Sequence, residues 1–386
     1  MKRHVIALAD CDSFYVSCER KDNPALSGKP VCVMTTVGNK GIVVSRSREV
    51  KVLGIKIGTP YFQIKDVYRQ VICIPARMHR YAEISKAVMD IIKTFSPDVE
   101  VTSVDEAFID LTGLNKVHQT SYTDIIRTIR QTIWDKVGVP VSIGLSTSKI
   151  LAKLASDKAK SNGGIFVVPP DRILETVGDT VINEVCGIGP GNARKMQSYG
   201  IRTVRGFVER DDAWVRKAFG INGSRLRQEL MGVASSLVKS EPSAPQSIQV
   251  TRSFADFTRD LEFIRHALNG HVHEACQKMR RWNGFCDKIK VMLRTKDFKY
   301  HAIETKLSNL TNSDFIIRET AQKLLTELYR QNIPYRSTGI TLLNLAYDVQ
   351  NRQSLFDEIN PVDDKLSHTI DALESRFGKG IVRVGA

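Results

Sequence analysis

Apolar residues along the chain follow two rhythms, one continuous or alternating and one with helical spacing. Residues 5–9 form a continuous apolar run, as expected of a strand covered on both faces, and deliver Asp10 at its C-terminal end. Residues 31–35, 42–45 and 71–74 read as further strands, the first two separated by Gly38-Asn39-Lys40-Gly41. Residues 81–95, about 123–137 and 149–160 carry helical periodicity, and a strand at 141–145 separates the last two. Residues 99–104 and 107–111 are β-branched and aromatic runs that meet at Asp105-Glu106 with no intervening glycine or proline. That pattern predicts a hairpin with the two acids at or beside its bend. The resulting order is strand, insertion, helix, two strands, helix, strand, a split βαβ arrangement.

Gly163-Gly164 closes this region, and residues 165–232 read as helical around Val185-Cys186-Gly187-Ile188-Gly189-Pro190. Residues 232–247, with Ser235-Ser236, Pro242, Ser243 and Pro245, have the composition of a linker. A second unit follows: strand 248–254, helix 260–281, strands 285–295 and 301–307, helix 313–331 and strand 337–344, again βαββαβ. From Tyr347 the chain turns acidic, and residues 369–377 predict a last helix.

At 386 residues, 42% of them hydrophobic, the chain suggests two to four domains with ample apolar surface to bury. Its 56 Lys and Arg against 42 Asp and Glu leave a net charge of +14, which points to a polyanionic partner, nucleic acid before an anionic membrane. Seven cysteines in no CxxC or metal-ligand spacing read as reduced thiols of a cytosolic protein. The N-terminal apolar run is too short for an export signal, and no run approaches the ~20 residues of a membrane span.

Adjacent acids in an apolar hairpin repel each other and call for a counter-charge; Asp105-Glu106 is then either a solvated turn or part of a divalent-metal site. Asp10 either caps the short helical stretch after Asp10-Cys11-Asp12-Ser13-Phe14-Tyr15 or meets Asp105 and Glu106 across neighbouring strands. Three such carboxylates would bind two Mg²⁺ ions completed by a phosphate-bearing substrate. Arg46, Arg48, Lys51 and Lys56 are either a solvated helix face or a triphosphate clamp. The Gly187-Ile188-Gly189 turn either terminates a helix or presents backbone N–H groups to a phosphate, flanked by Arg194, Lys195, Arg202 and Arg205. Lys288, Lys290 and Arg294 alternate along one strand and share a face.

With Asp10 to Tyr15, Ser103-Val104-Asp105-Glu106-Ala107-Phe108, the 149–163 segment and the Gly-Ile-Gly turn in this order, the sequence resembles a Y-family translesion DNA polymerase of the bacterial DinB and UmuC group. The resemblance implies an α+β multidomain fold, a polymerase right hand. Its parts would be a ferredoxin-like palm (1–35 and 71–164), small fingers (36–70), a helical thumb with a helix-hairpin-helix (165–232), a linker (233–247), a βαββαβ little finger (248–346) and a C-terminal tail (347–386). It implies metal binding by Asp10, Asp105, Glu106 and the Cys11 carbonyl, with Mg²⁺ as the ion and Mn²⁺ able to substitute, and Asp105 and Glu106 as catalytic carboxylates. Tyr15 falls at the steric gate against ribose. Triphosphate contacts are expected from Ser45, Arg48, Lys51, Lys160 and the backbone of Phe14 and Tyr15, and Ile42, Val44 and Gly58 would roof the nascent base pair. Duplex contacts are expected at Gly187, Gly189, Lys288, Lys290 and Arg294.

The segment Ser45-Arg46-Ser47-Arg48-Glu49-Val50-Lys51 departs from the usual DinB pattern and looks nearer to UmuC; Lys51 cannot make the bidentate fork of an arginine. Arg352-Gln353-Ser354-Leu355-Phe356 resembles a sliding-clamp-binding peptide, with Gln353 three rather than four residues before Phe356, so Gln353, Leu355 and Phe356 are the expected clamp contacts. The expected activity is low-fidelity, template-directed synthesis past lesions by a monomeric catalytic unit without proofreading. Its substrates would be primer–template DNA and deoxynucleoside triphosphates, with a sliding clamp and accessory subunits as partners. It would work in the cytoplasm, at the nucleoid when on DNA. The rivals are a nucleotide cyclase, which shares the palm and its metal chemistry, and a non-catalytic DNA-binding or clamp-recruited subunit.

Overall fold

The apolar run at the N-terminus becomes the middle strand of a five-stranded sheet. The computed structural model describes residues 4–36, 38, 40–347, 361–378 and 381, and the chain divides into two compact units, Met1–Pro242 and Ser243–Ala386. In chain order the first unit contains β1 (Ile6–Cys11), α1 (Phe14–Asp22), β2 (Val31–Met34), β3 (Val43–Arg46), α2 (Arg48–Val52), β4 (Ile72–Pro75), α3 (Met78–Lys93), β5 (Val99–Val101), β6 (Glu106–Asp110) and α4 (Leu114–Val117). It continues with α5 (Tyr122–Val137), β7 (Val141–Ser146), α6 (Lys149–Ala159), β8 (Ile165–Val167), α7 (Ile173–Val177), α8 (Pro190–Ser198), α9 (Val204–Val208) and α10 (Asp212–Leu230).

The main sheet has the order β5-β6-β1-β7-β8; β8 runs parallel to β7 and the other neighbours are antiparallel. Successive side chains of a strand point to opposite faces. Ala7, Ala9 and Cys11 therefore join Ala107, Ile109 and the apolar stripes of α3 and α5 in the largest core, while Ile6 and Leu8 face Phe108 and Ala152 of α6. Asp10 continues the second series. Gly144 of β7, opposite Leu8, makes room for α6 there: a Cβ at this position would lie 2.1 Å from the Ser156 nitrogen and 2.3 Å from the Ala152 oxygen.

Three boundaries differ from those read off the sequence. β2 and β4 do not belong to the main sheet but pair with β3 in a three-stranded sheet of order β3-β2-β4, so divisions at 35/36 and 70/71 cut through one sheet. The reason lies in β2, where Val31 and Val33 face the large core and Cys32 and Met34 a smaller one with Val43, Val50, Ile55 and Ile64. A strand that walls off two cores is apolar throughout and gives no sign of which sheet it joins. Residues 165–167, placed at the head of the helical segment, form the fifth strand of the main sheet. The first part of the linker is docked: Ala234 and Val238 pack beside Ile6 and Leu8, and buried Glu229 accepts the Ser235 and Ser236 N–H groups, each at 2.8 Å. The Lys239 N–H donates to Glu100 at 2.7 Å.

The second unit contains β9 (Ile248–Thr258), α11 (Leu261–Arg280), β10 (Cys286–Thr295), β11 (Tyr300–Thr311), α12 (Asp314–Leu328), β12 (Tyr335–Leu343) and α13 (Pro361–Phe377). Its sheet is antiparallel throughout, in the order β11-β10-β12-β9, and packs on α11 and α12 through Ile289, Val291, Leu293, Ile340 and Leu342. Helix α13 begins eight residues before the predicted start at 369 and is held by a buried polar cluster. Within that cluster Arg280 donates to Asp371 (2.6 and 2.9 Å) and to Asp314 (2.5 Å), and His273 contacts Asp314 (2.5 Å) and Glu374 (3.1 Å).

All seven cysteines are free thiols. Cys11, Cys18, Cys32, Cys276 and Cys286 are buried, Cys73 is half-buried and Cys186 is exposed. Burial raises the pKa values of Cys11 and Cys276 well above the ordinary range and pushes those of Cys18, Cys32 and Cys286 up to about 12. Among the described residues no helix is long and apolar enough to cross a membrane.

Candidate active site

The carboxylates foreseen at the end of β1 and in the hairpin lie at one end of the inner strands β1 and β6 of the main sheet. Asp10 and Glu106 are direct register partners on β1 and β6, on the face covered by α6. Asp105 lies in the turn, one residue before β6, and its carbonyl accepts the Cys11 N–H at 2.9 Å. Its carboxylate accepts from Ser103 Oγ at 2.5 Å, while Glu106 Oε1 accepts from Thr102 Oγ1 at 2.8 Å. Asp10 and Glu106 are thus brought together, and Asp105 stands beside them with its side chain engaged in the turn. Among the described residues no three His, Cys, Asp or Glu side chains are gathered closely enough to hold a metal by themselves.

The counter-charge comes from α6. Lys153 Nζ donates to Asp10 Oδ2 at 2.7 Å and to Glu106 Oε2 at 2.5 Å, and Lys160 Nζ donates to Asp10 Oδ2 at 3.0 Å. One face of the same helix carries Lys149, which bonds Glu100 at 2.5 Å and lies 5.3 Å from the centre of the Phe108 ring. Burial disfavours the charge on Lys153, but Asp10 and Glu106 outweigh it and hold the ammonium protonated. Sequence reasoning named Lys160 and missed Lys153. The available signal was the spacing 149, 153, 160, which places all three lysines on one helical face. An ammonium bridging two carboxylates marks a cation position, so this donor set suits a hard divalent ion.

Cys11 has its thiol in the core, which leaves its main chain as the part facing the site. Asp12 accepts from Ser142 Oγ at 2.8 Å; burial raises its carboxyl above the usual range against that bond and the nearby charges of Lys160 and Lys51. Ser13 turns the chain in a left-handed conformation (φ 46°), and α1 starts at Phe14 without a side-chain cap. The first-turn N–H groups of α1 therefore have no intrahelical acceptor, the arrangement that favours an anion. The Tyr15 ring stacks on Tyr81 with centroids 4.5 Å apart and 14° between planes. Tyr81 donates to buried Glu19 at 2.7 Å, and Arg77 clasps Glu19 with two bonds of 2.9 and 2.8 Å. Tyr15 is thereby fixed in place, and burial together with Asp105 raises its hydroxyl pKa.

Ser45 on β3 is buried, Arg48 and Lys51 on α2 are exposed, and Ile42, just before β3, is 41% exposed. Gly58 (φ 86°) donates its N–H to the Val43 carbonyl at 2.8 Å, so Ile42, Val44 and Gly58 lie along one strand and the loop returning beside it. Gly187 (φ 89°) and Gly189 flank an open turn leading into α8; a Cβ on either would meet nothing within 4 Å. The element before the turn is a single 3₁₀ turn, Ile182–Glu184. Of the flanking cations Arg194 and Arg202 are exposed, whereas Lys195 bonds the Ala218 carbonyl (2.6 Å) and Arg205 the Leu174 carbonyl (2.9 Å).

In the second unit Lys288, Lys290 and Arg294 alternate with buried Ile289, Val291 and Leu293, which places them on the sheet face away from α11 and α12. Glu304 on β11 bonds Lys288 at 2.5 Å and lies 3.9 Å from Lys290, and Arg294 lies over the rings of Phe298 and Tyr300. Gln353, Leu355 and Phe356 lie outside the described residues. A cleft of about 670 Å³ along α5, lined by Arg127, Arg130, Gln131 and Asn162, includes none of the expected site residues.

Family models match in two places: "impB/mucB/samB family" over residues 9–157 and "impB/mucB/samB family C-terminal domain" over residues 245–355. The chain is 32% identical to Protein UmuC of Salmonella typhimurium, over 97% of this chain and 92% of that protein. It is 30% identical to DNA polymerase IV of Desulfatibacillum aliphaticivorans, over 100% and 97% respectively. Among solved structures it is similar to a Y-family DNA polymerase chimera, Dbh-Dpo4(243-245)-Dbh, with TM-score 0.76 and 25% identity over 89% of this chain and 100% of that one. An insertion ternary complex of Dbh DNA polymerase matches the same shares at TM-score 0.59 and 25% identity.

Proposed function

The chain belongs to the impB/mucB/samB family of Y-family translesion DNA polymerases and is a DNA-directed DNA polymerase, and from that premise we propose that Asp10, Asp105 and Glu106 form its catalytic centre for two-metal nucleotidyl transfer. The family settles the choice against the nucleotide cyclase and the non-catalytic subunit. The observation that carries the site reading is the register pair Asp10 and Glu106, bridged by an ammonium at the ends of β1 and β6, with Asp105 one residue away.

In this reading the carboxylates and the Cys11 carbonyl hold Mg²⁺, with Mn²⁺ able to substitute. Bound there, the ions supply Lewis-acid activation of the primer 3′-hydroxyl and neutralise the triphosphate. The chain's own groups do the rest. The N-terminal N–H groups of α1, with Ser45, Arg48, Lys51 and Lys160, bind and orient the phosphates. The stacked Tyr15 excludes a ribose 2′-hydroxyl, and Ile42, Val44 and Gly58 roof the base pair.

The right hand divides functionally as a palm on the main sheet, fingers on the three-stranded sheet, a thumb at 168–232 and a little finger at 248–346. The thumb turn at Gly187 and Gly189 and the basic sheet face at Lys288, Lys290 and Arg294 grip primer–template DNA. Deoxynucleoside triphosphate is the second substrate. A sliding clamp bound through Gln353, Leu355 and Phe356, accessory subunits, a monomeric catalytic unit, synthesis without proofreading and a place in the cytoplasm at the nucleoid complete the reading.

Primer extension on undamaged and abasic templates tests it. Asp105→Ala and Glu106→Ala abolish extension while DNA binding, read by anisotropy, survives; extension at the parental rate would remove the metal assignment.

A further inference from the structure

Lys153 is the one lysine of α6 that touches both carboxylates of the register pair. Lys149 is engaged by Glu100 on β5, and Lys160 reaches Asp10 alone besides its bond to Asp157. The contact is partly buried, with side-chain exposures of 19% for Lys153, 11% for Asp10 and 21% for Glu106. Two carboxylates facing each other in such a setting need a positive charge between them. We propose that Lys153 is a resident counter-ion that holds the cation position of the Asp10–Glu106 pair, so that a divalent ion loads there only by displacing its ammonium. The inference rests on the metal reading of the preceding subsection and adds a residue that this reading does not use.

Asp157 provides the displaced ammonium with somewhere to go. It lies one turn further along α6, 3.9 Å from Lys153 Nζ, and is 46% exposed. A short swing of the lysine stem along the helix surface exchanges the buried pair for this wetter partner. Asp10 keeps Lys160 in the meantime, so its charge is not left bare when Lys153 departs. Lys153 thereby acts as a positioning residue. It keeps β1 and β6 in register at their acidic ends while no cation is present, and it sets the concentration of cation needed to fill the site.

The test is Mn²⁺ binding to the full chain, followed by the electron paramagnetic resonance of free Mn²⁺, together with melting in EDTA and in Mn²⁺. Lys153→Met removes the charge and keeps the stem. It is expected to tighten Mn²⁺ binding by about tenfold, the scale of one removed, partly screened like charge. It should also lower the melting temperature in EDTA, with the loss recovered in Mn²⁺. Lys153→Arg keeps the charge and leaves Mn²⁺ binding at or below the parental affinity. Lys153→Gln serves in place of methionine if circular dichroism finds that variant unfolded. Equal or weaker Mn²⁺ affinity in the uncharged variant overturns the proposal while leaving the metal reading intact, provided Asp10→Asn and Glu106→Gln weaken binding. If neither the parent nor Lys153→Met binds Mn²⁺, the metal reading itself fails and this inference falls with it.

Discussion

Gly144→Ala is the sharpest test of how the sheet positions its lysines. The added Cβ would lie 2.1 Å from the Ser156 nitrogen, 2.3 Å from the Ala152 oxygen and 2.6 Å from the Ala155 carbonyl carbon. These are backbone atoms of α6, so no side chain can rotate out of the way, and the helix must lift by about 1 Å to restore normal contact. Overpacking of this kind costs ~3 kcal/mol, the upper part of the usual range, because the strain falls on backbone. For a unit of this size the melting temperature should drop by about 6–12 °C. Lys149, Lys153 and Lys160 ride on or just beyond the displaced helix. A misplacement of ~1 Å in groups that orient reacting parts costs about 100-fold in rate. Gly191→Ala is the control: it lies in α8, its Cβ would meet nothing within 4 Å, and alanine there should hold or raise the melting point. Differential scanning fluorimetry and single-turnover primer extension read the two effects. A parental melting point and rate in Gly144→Ala would refute the close-approach argument; a lower melting point with parental extension would refute the link from helix spacing to chemistry.

Three further outcomes are expected. Tyr15→Ala leaves Tyr81 without its stacked partner and, on the steric-gate proposal, opens the space under the sugar. Ribonucleotide incorporation should rise by ten- to a hundredfold, and a steady deoxyribose preference in extension assays would take the gate away from Tyr15. Glu304→Gln frees Lys288 and Lys290. DNA affinity in anisotropy titrations should rise several-fold at low salt, with a log–log salt slope steeper by roughly one unit, whereas unchanged or weaker binding would place the duplex elsewhere. His273 is raised from 6.5 to about 9 by its bond to Asp314, against burial and with help from Glu374. Its stabilising charge is therefore fully present below about pH 6.5 and lost as pH rises through about 9. Melting of the second unit should fall between pH 7 and 10, and His273→Gln should flatten that fall; an equal slope in the variant would assign it to another group.

Much of this arrangement is legible in the sequence because burial and periodicity write it there. The run that becomes β1 ends at an acid, and a buried strand has to bring that acid somewhere. The helical stripes of α3 and α5 can be read because each has one wet face. Other features leave no such trace. β2 is apolar on both sides because it separates two cores, so its partner sheet cannot be inferred from its residues. The linker hides two anchoring side chains, Ala234 and Val238, in a serine- and proline-rich stretch whose docking depends on Glu229 further back in the chain. Lys153 looks like any exposed helical lysine until β1 and β6 place Asp10 and Glu106 under it. Asp105 and Glu106, adjacent in sequence, separate in role because one remains in the turn and the other enters β6.

The distribution of thiols gives the protein a ready chemical handle. Five cysteines are sealed in cores and Cys73 is half-covered, which leaves Cys186, next to Gly187, as the exposed one. A maleimide dye added in slight excess should attach at that position without any engineered substitution, directly beside the turn assigned to the DNA backbone. The unaltered chain can therefore carry its own optical reporter of thumb engagement, and duplex binding and release can be followed in real time by the brightness of a single fluorophore.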